Sequence, residues 1–137
     1  MRGQRFLVST ARAIERRDIT ADVQKAVGSL GIDTGFVIVS VPHTTAAITI
    51  GENWDLDVGT DVERALGAWV PKVQFEHAEG NSAAHFLSEA IGNSRLVKVE
   101  EGRLRLGQWQ GIFMLELDGP RKREVQVDRL GGEDTGP

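Results

Sequence analysis

The amino-acid sequence predicts an α+β domain in which mostly antiparallel, sandwich-like sheets are combined with about three helices. Apolar residues recur at helical spacing in three segments, which begin near Ile19, Val58 and Ala83. Short runs rich in β-branched residues separate these segments, and the last third of the chain contains only strand patterns. The 137 residues, 40% hydrophobic and 26% charged, suit one globular domain over residues 1–130 with a disordered tail at 131–137.

The N-terminal half is predicted to contain a helix between strands. Residues 5–10 predict a first strand, and the polar segment 12–18 is either an exposed second strand or an irregular connection. An amphipathic helix follows and stops at Gly31, where a residue without a side chain suits a helix end. Residues 35–41 form a continuous apolar run that predicts a central strand, and residues 46–50 predict another.

The second and third helices are predicted to begin at side chains that can cap them. Asp55 and Asp57 precede the second helix, where carboxylates accept hydrogen bonds from free backbone N–H groups; their alternative role is metal binding. The third helix is predicted to begin at Asn81 or Ser82 and to end at Gly92 in the left-handed conformation.

The remaining chain is predicted to be entirely β. Two hairpins are expected, formed by residues 96–100 with 103–106 and by residues 109–117 with 121–129. In the last strand, Arg123 shares a face with two valines, an unusual place for a charge. It either snorkels outwards from the strand end or binds an anion at a pocket rim.

The three histidines are the main candidates for chemistry. His77 and His85 lie eight residues apart, which on one helix would separate them by about 12 Å, too far to share an ion. Gly80 favours a loop instead, which would fold His77 back towards His85 in the first turn of the third helix. His43, which follows an apolar strand, would be the third ligand of a metal. The alternative is that these histidines are hydrogen-bonded structural residues.

Composition excludes several classes of function. A net charge of −4 gives no reason to expect nucleic acid as a partner, and the absence of cysteine excludes disulfides, thiolate ligands and thiol catalysis. No apolar run approaches a membrane span, and residues 1–5 lead into no signal-peptide core, so we expect a cytoplasmic protein with no membrane partner. Walker and Gly-x-Gly-x-x-Gly fingerprints are absent, which leaves nucleotide binding unsupported.

Four motifs occur in series along the chain. They are Val-Pro-His-Thr-Thr-Ala-Ala-Ile-Thr-Ile-Gly-Glu-Asn at 41–53, His-Ala-Glu-Gly-Asn-Ser-Ala-Ala-His at 77–85, Leu-Gly-Gln-Trp-Gln-Gly-Ile at 106–112 and Gly-Pro-Arg-Lys-Arg-Glu-Val at 119–125. With the segment between Asp57 and Asp61, they resemble the YjbQ-like family, often described as secondary thiamine-phosphate synthases. The sequence departs from the family pattern at Gln108, where Thr is more usual, and at Gly51, where a larger apolar residue is more usual.

The resemblance implies a homotrimer with a metal site and a set of further site residues. The metal ligands would be His43, His77 and His85, the catalytic residues Glu79 and Asp61, and the substrate-binding residues Glu52, Asn53, Asn81 and Arg123. Glu79 is our candidate proton acceptor because it lies two residues from His77. It could instead cap the following helix or support a ligand histidine.

The chemistry implied by the family description does not fully match the histidine motif. Thiamine-phosphate synthesis releases diphosphate, a step usually assisted by Mg²⁺. Three imidazoles instead suit Zn²⁺ with an open position, which fits hydrolysis at least as well. We therefore expect an enzyme that binds a divalent metal, Zn²⁺ first and Mg²⁺ second, and acts on a small phosphorylated molecule. The alternatives are a metal-dependent hydrolase of a phosphorylated metabolite and a non-catalytic trimer that binds a metal or an anion.

Overall fold

The computed structural model describes residues 3–70, 73–77 and 80–131. Residues 132–137 of the predicted tail lie outside this range. The elements in chain order are β1 Gly3–Ser9, β2 Glu15–Asp18, α1 Thr20–Leu30, β3 Gly35–Ser40, β4 Ala46–Glu52, α2 Leu56–Ala68, α3 Ser82–Ile91, β5 Ser94–Glu100, β6 Arg103–Leu104, β7 Gln110–Glu116 and β8 Lys122–Leu130. The α+β class, with three helices and antiparallel sheets, is confirmed over the described residues.

The strands form two antiparallel sheets. The larger sheet has the order β1-β8-β3-β5-β6, and the smaller sheet has the order β2-β7-β4. Their apolar inner faces meet in one core that also receives α1, and this core contains Val39 and Val127 of the larger sheet together with Ile48 and Met114 of the smaller one. A second cluster packs Leu66 of α2 and Leu87 of α3 against the outer face of the smaller sheet. Helices α2 and α3 therefore cover the outer face of the smaller sheet, whereas no helix among the described residues covers the outer face of the larger one.

The outer face of the larger sheet is exposed in the isolated chain. Leu7 is 65% exposed and Leu96 is 53% exposed, and Phe36 and Leu130 also present large apolar side chains to solvent. The same four strands bury their alternate residues in the core, which is the alternation expected of a sheet covered on one side.

One predicted hairpin is correct and the other is wrong. β5 and β6 pair around Glu101 and Gly102 as expected. β7 and β8, predicted to pair around residues 118–119, belong to different sheets instead. The physical reason is that both edges of β7 are already occupied, by β2 on one side and β4 on the other, so β8 pairs with β1 and β3.

The helix ends follow the predicted residues with two differences. Gly31 has φ 66° and ψ 28° and ends α1 in the left-handed conformation, as predicted. Gly92 ends α3 with φ 99° and ψ 157°, so it needs a positive φ but lies outside the left-handed helical region that was predicted. Asp55 caps α2 by accepting a hydrogen bond from the backbone N–H of Asp57, whereas the Asn81 side chain makes no capping bond to α3. Among the described residues, no helix is long and apolar enough to cross a membrane.

Candidate functional site

His77 and His85 are brought together by the loop before α3. The centroids of their rings lie 5.6 Å apart with an interplanar angle of 73°. Two imidazoles that bind one tetrahedral zinc at 2.0–2.1 Å place their ring centroids about 5 Å apart. The predicted fold-back of His77 onto His85 is therefore present, at a separation that fits two ligands of a single ion.

His43 lies in the connection between β3 and β4 and takes a different arrangement. Its Nε2 accepts a hydrogen bond of 2.9 Å from the backbone N–H of Glu124, so the neutral ring carries its proton on Nδ1. Burial lowers the pKa of His43, and the positive charge of Arg123 lowers it further, which keeps the ring neutral near pH 7. A nitrogen that accepts a hydrogen bond cannot bind an ion at the same time, so His43 could join a metal only after its ring leaves Glu124.

Two adjoining pockets connect His43 with His85. One encloses about 560 Å³ and is lined by His43, Thr44, His85, Ser88, Glu89, Gly92 and Asn93. The other encloses about 330 Å³ and is lined by Pro42, His43, Thr44, Thr45, Asn81, His85, Arg121 and Arg123. The side chain of Ser88 fixes α3 beside these pockets, because its Oγ donates a 2.7 Å hydrogen bond to the carbonyl oxygen of Ala46 on β4.

Arg123 is buried beside His43 and is paired with Glu116. Its Nε donates a 2.9 Å hydrogen bond to a carboxylate oxygen of Glu116, and its Nη2 donates to Glu116 and to both oxygens of Thr45. Arg123 is 4% exposed and Glu116 is fully buried, so the alternative that Arg123 snorkels outwards is wrong. Burial alone would raise the pKa of Glu116, but hydrogen bonds from Arg123 and Thr10 outweigh it and hold the pKa below its ordinary value.

This ion pair joins the two sheets. Glu116 is the last residue of β7 in the smaller sheet, and Arg123 lies in β8 of the larger one. Thr10, which follows β1, donates a 2.8 Å hydrogen bond to the same carboxylate. The carboxylate thus neutralises the guanidinium, so Arg123 retains little net charge with which to hold an anion.

Asn81 lies at the start of α3 and contacts the same region. Its Nδ2 donates a 2.9 Å hydrogen bond to the carboxylate of Asp118, and that carboxylate also pairs with Arg121 at 2.9 Å. The hydrogen bond from Asn81, aided by Arg121, holds the pKa of Asp118 below its ordinary range. The Oδ1 of Asn81 is buried and has no hydrogen-bond partner among the described residues. Asn81 also lines the pocket that contains His43 and His85.

Glu52, Asn53 and Asp61 do not join the histidines within one chain. Ala46 is the first residue of β4 and Glu52 is the last, so the two residues lie about 20 Å apart along the strand. At this far end of β4, the backbone N–H of Asn53 donates a hydrogen bond to the carbonyl oxygen of Trp109. Asp61 lies on an exposed face of α2 and lines neither histidine pocket.

Glu79 lies outside the described residues, so its position beside His77 stays a prediction. Within residues 3–70, 73–77 and 80–131, no group of three or more His, Asp or Glu side chains is placed to hold a metal ion. Of the three predicted metal ligands, His77 and His85 lie side by side, and His43 lines the pocket next to His85.

Glu116 and Asp118 are the residues that the sequence interpretation did not identify. Glu116 and Asp118 lie near the end of the apolar run Gly-Ile-Phe-Met-Leu-Glu-Leu-Asp at 111–118. A carboxylate inside an otherwise apolar strand needs a buried cation as partner. Arg123, which shares a face with two valines, is such a cation, so the two anomalies together could have predicted the pair.

The fold and this pocket define an α+β protein with two antiparallel sheets and a histidine pair at one end. The chain matches the model of the family described as UPF0047 protein YjbQ-like over residues 4–132. It belongs to this family.

Relatives and solved structures are similar to this chain over nearly its whole length. YugU of Bacillus subtilis is 42% identical over 127 residues, which cover 90% of this chain and 96% of that protein. A UPF0047 protein of Methanocaldococcus jannaschii is 41% identical and covers 93% of both chains. A crystal structure of a YjbQ/UPF0047-family protein from Clostridium acetobutylicum is 43% identical, has a TM-score of 0.88, and covers 93% of this chain and 99% of that one.

Proposed function

We propose that this protein is an enzyme that binds a divalent metal and acts on a small phosphorylated molecule. The observation that carries the proposal is the His77–His85 pair, whose ring centroids are 5.6 Å apart, at the edge of pockets that also contain His43. By family resemblance, the named reaction is thiamine-phosphate synthesis as a secondary activity. Hydrolysis of a phosphorylated metabolite is the second candidate, because imidazole ligands favour Zn²⁺ over the Mg²⁺ usual in diphosphate chemistry.

The residues fit a metal in part. His77 and His85 would supply two imidazole nitrogens, and His43 would supply a third after exchanging its hydrogen bond from Glu124. A metal held in this way would act as a Lewis acid on a phosphoryl oxygen or a water molecule. Glu79, which we place next to His77 from the sequence alone, would accept a proton.

The remaining pocket residues would position the substrate. The guanidinium of Arg121, which is half exposed beside Asp118, would donate hydrogen bonds to a phosphorylated molecule, and Asn81 lines the same pocket. Arg123 would hold the pocket wall in place and would not bind the anion itself, because Glu116 already neutralises its charge. The backbone N–H groups at the start of α3, a ten-residue helix, would add favourable dipoles for an anion.

The test begins with metal content. We expect purified protein to contain about one ion per chain, and His77→Ala and His85→Ala each to lose most of it while remaining folded. His43→Ala should lose less, because its Nε2 bonds to Glu124 in the absence of metal. Elemental analysis of unchelated protein measures this. Stoichiometric metal in both the His77 and His85 variants would refute the assignment.

A turnover screen with metal present then separates the candidate reactions. It should include the pyrimidine diphosphate and thiazole phosphate pair and a panel of phosphorylated metabolites. Under the proposal, Glu79→Gln keeps the metal but loses about 10²–10⁴-fold in rate. Activity within a few-fold of the parent would assign Glu79 to scaffolding. A metal that exchanges slowly and has no open position would instead support the non-catalytic alternative.

Self-association belongs to the same proposal. The family resemblance implies a homotrimer, and the uncovered outer face of the larger sheet supports association, since Leu7 and Leu96 are more than half exposed. The net charge of −4 gives no reason to add nucleic acid to the partners of this proposal.

A further inference from the structure

Arg16 of β2 holds its guanidinium in the wall of a pocket that the histidines do not line. Its Nη2 donates a 2.7 Å hydrogen bond to the carbonyl oxygen of Glu52, at the end of β4 that lies about 20 Å from Ala46. Its Cζ lies 3.5 Å from the centroid of the Phe113 ring, so the guanidinium stacks on an aromatic face. Within one chain, this pocket is therefore separate from the histidine pockets.

Gly51 makes room for this guanidinium. A Cβ atom at position 51 would lie 2.7 Å from the Nη2 of Arg16, which is too close for an unbonded carbon. Any side chain at this position would therefore push the guanidinium away from Phe113. The position of Arg16 depends on a residue without a side chain in the neighbouring part of the sheet.

The charge of Arg16 has no anionic partner in the described part of the chain, unlike the charges of its neighbours. Arg12 pairs with Glu63 at 2.9 Å, and Arg17 pairs with Glu15 at 3.1 Å. The Nε of Arg16 is buried and accepts no compensating contact from a described residue. Burial lowers the pKa of Arg16, because a guanidinium that has lost hydration is less stable in its charged form. An anion that reaches this group would therefore be held more strongly than at an exposed arginine.

The pocket beside Arg16 encloses about 300 Å³, a volume at the lower end of those found for small-molecule sites. Its walls combine four polar side chains with two apolar ones, which are Asp18, Asn53, Asp55, Thr60, Leu56 and Phe113. The pocket therefore offers charged groups and apolar contact to the same ligand.

The unmatched charges around the pocket have both signs. Asp18 accepts hydrogen bonds from the backbone N–H and the hydroxyl group of Thr20, and Asp55 accepts one from the backbone N–H of Asp57. These donors are neutral, and neither aspartate forms an ion pair with a described residue. Arg16 thus contributes one uncompensated positive charge, and the two aspartates contribute negative charges across the pocket.

We propose that this pocket binds a small zwitterion, of the class of free α-amino acids, whose carboxylate pairs with Arg16 and whose ammonium group contacts Asp18 and Asp55. A phosphate would meet two carboxylates for one guanidinium, and an amine without a carboxylate would leave Arg16 unpaired. A ligand that carries both charges satisfies both walls. Leu56 and Phe113 contact its aliphatic part. This second site goes beyond the function proposed for the histidine pockets and does not depend on it.

Isothermal titration calorimetry with each of the standard L-α-amino acids tests the proposal on the full chain. We expect at least one of them to bind at one molecule per chain with a Kd of about 1 mM or lower. Its carboxamide lacks the carboxylate and its deaminated acid lacks the ammonium group, so each should bind about tenfold more weakly or worse. Equal affinity for either analogue, or tighter binding of inorganic phosphate, would overturn the zwitterion. No binding by any amino acid at about 10 mM would overturn the site.

Three variants locate the ligand in this pocket. Arg16→Gln removes the positive charge, and Gly51→Ala keeps that charge but displaces the guanidinium. Asp18→Asn removes a negative charge and keeps an acceptor for Thr20. Each variant should weaken binding about tenfold or more while circular dichroism shows the parent fold. Parent affinity in folded Gly51→Ala and Asp18→Asn would overturn the assignment, whether or not Arg16→Gln folds.

Arg17→Gln is the matched control, because Arg17 is the next residue of β2, donates to the carbonyl oxygen of Ser9 and does not line the pocket. His85→Ala tests whether the ligand binds at the histidine pockets instead. Both variants should bind the amino acid as the parent does. A tenfold loss in either one would place the ligand elsewhere and overturn the proposal. These titrations need neither metal nor turnover, so a failure of the function proposed for the histidines does not change their outcome.

Discussion

Arg123 and Glu116 place opposite charges in the interior directly behind His43. Removing one member of a buried ion pair leaves the other charge uncompensated and typically costs about 3–5 kcal/mol. We therefore expect Glu116→Gln to lower the free energy of unfolding by about 3 kcal/mol or more, as measured by urea denaturation. The double variant Glu116→Leu/Arg123→Met should recover much of this loss, because it buries neither charge.

The exposed pair of Lys98 and Glu100 is the matched control. Its nitrogen–oxygen distance is 2.7 Å, and the two side chains are 52% and 37% exposed. Solvent screens such pairs, so Glu100→Gln should cost much less than Glu116→Gln. Equal losses in the two variants would show that burial does not set the importance of the inner pair.

Acid should weaken the fold through the same carboxylate. The folded-state pKa of Glu116 lies below its ordinary value of 4.5, so the ionised group stabilises the fold fully above about pH 4.5. This stabilisation is lost as the pH falls from there through the folded-state pKa. The parent should therefore lose more unfolding free energy between pH 6 and pH 3 than Glu116→Gln does. Urea unfolding across this range measures the difference, and parallel pH profiles would contradict the assignment.

At the level of residues, the sequence predicted the histidine pair but not its surroundings. The glycine and polar residues of 80–82 required a loop before α3, which correctly placed His77 beside His85. Arg123 was interpreted alone, because strand alternation shows which face a residue shares but not what faces it across the core. Its partner Glu116 lies in the other sheet, where the only signal in the sequence is a carboxylate inside an apolar strand.

At the level of elements, the start of α2 carries a cap that the sequence predicted. Asp55 accepts a 2.9 Å hydrogen bond from the backbone N–H of Asp57. Asp55→Ala should lower the free energy of unfolding by about 1 kcal/mol, the usual effect of losing an N-terminal cap. Asp61→Ala, at an exposed position in the middle of the same helix, is the control and should have little effect. Equal destabilisation by both would argue against capping.

The helices and most strands were predictable because each is encoded by local periodicity and by its ends. The pairing of β7 with β8 was not predictable in this way. A short turn between two strands favours a hairpin, but the free edges of the strands decide the pairing, and β2 and β4 had already taken both edges of β7. The same crossing of β8 into the larger sheet brings Arg123 to Glu116, so the wrong hairpin and the missed ion pair have one cause.

At the scale of the whole molecule, three helices are too few to cover both sheets. α2 and α3 cover the smaller sheet, and α1 packs into the core between the sheets. The outer face of the larger sheet then keeps Leu7, Phe36, Leu96 and Leu130 in contact with water. Each Å² of apolar surface that is removed from water lowers the free energy by about 25 cal/mol, so burying this face between subunits is favourable.

We therefore expect a trimer in dilute solution, with three times the 15.0 kDa mass of the chain. Leu96→Glu places a charge on the uncovered face, where it should weaken association without entering the core, because Leu96 is 53% exposed. Lys25→Glu, at an exposed position on α1, introduces the same residue away from this face and is the control. Sedimentation velocity at micromolar concentration distinguishes the outcomes. A stable parent monomer would reject the trimer, and a Leu96→Glu trimer as stable as the parent would show that subunits associate through other surfaces.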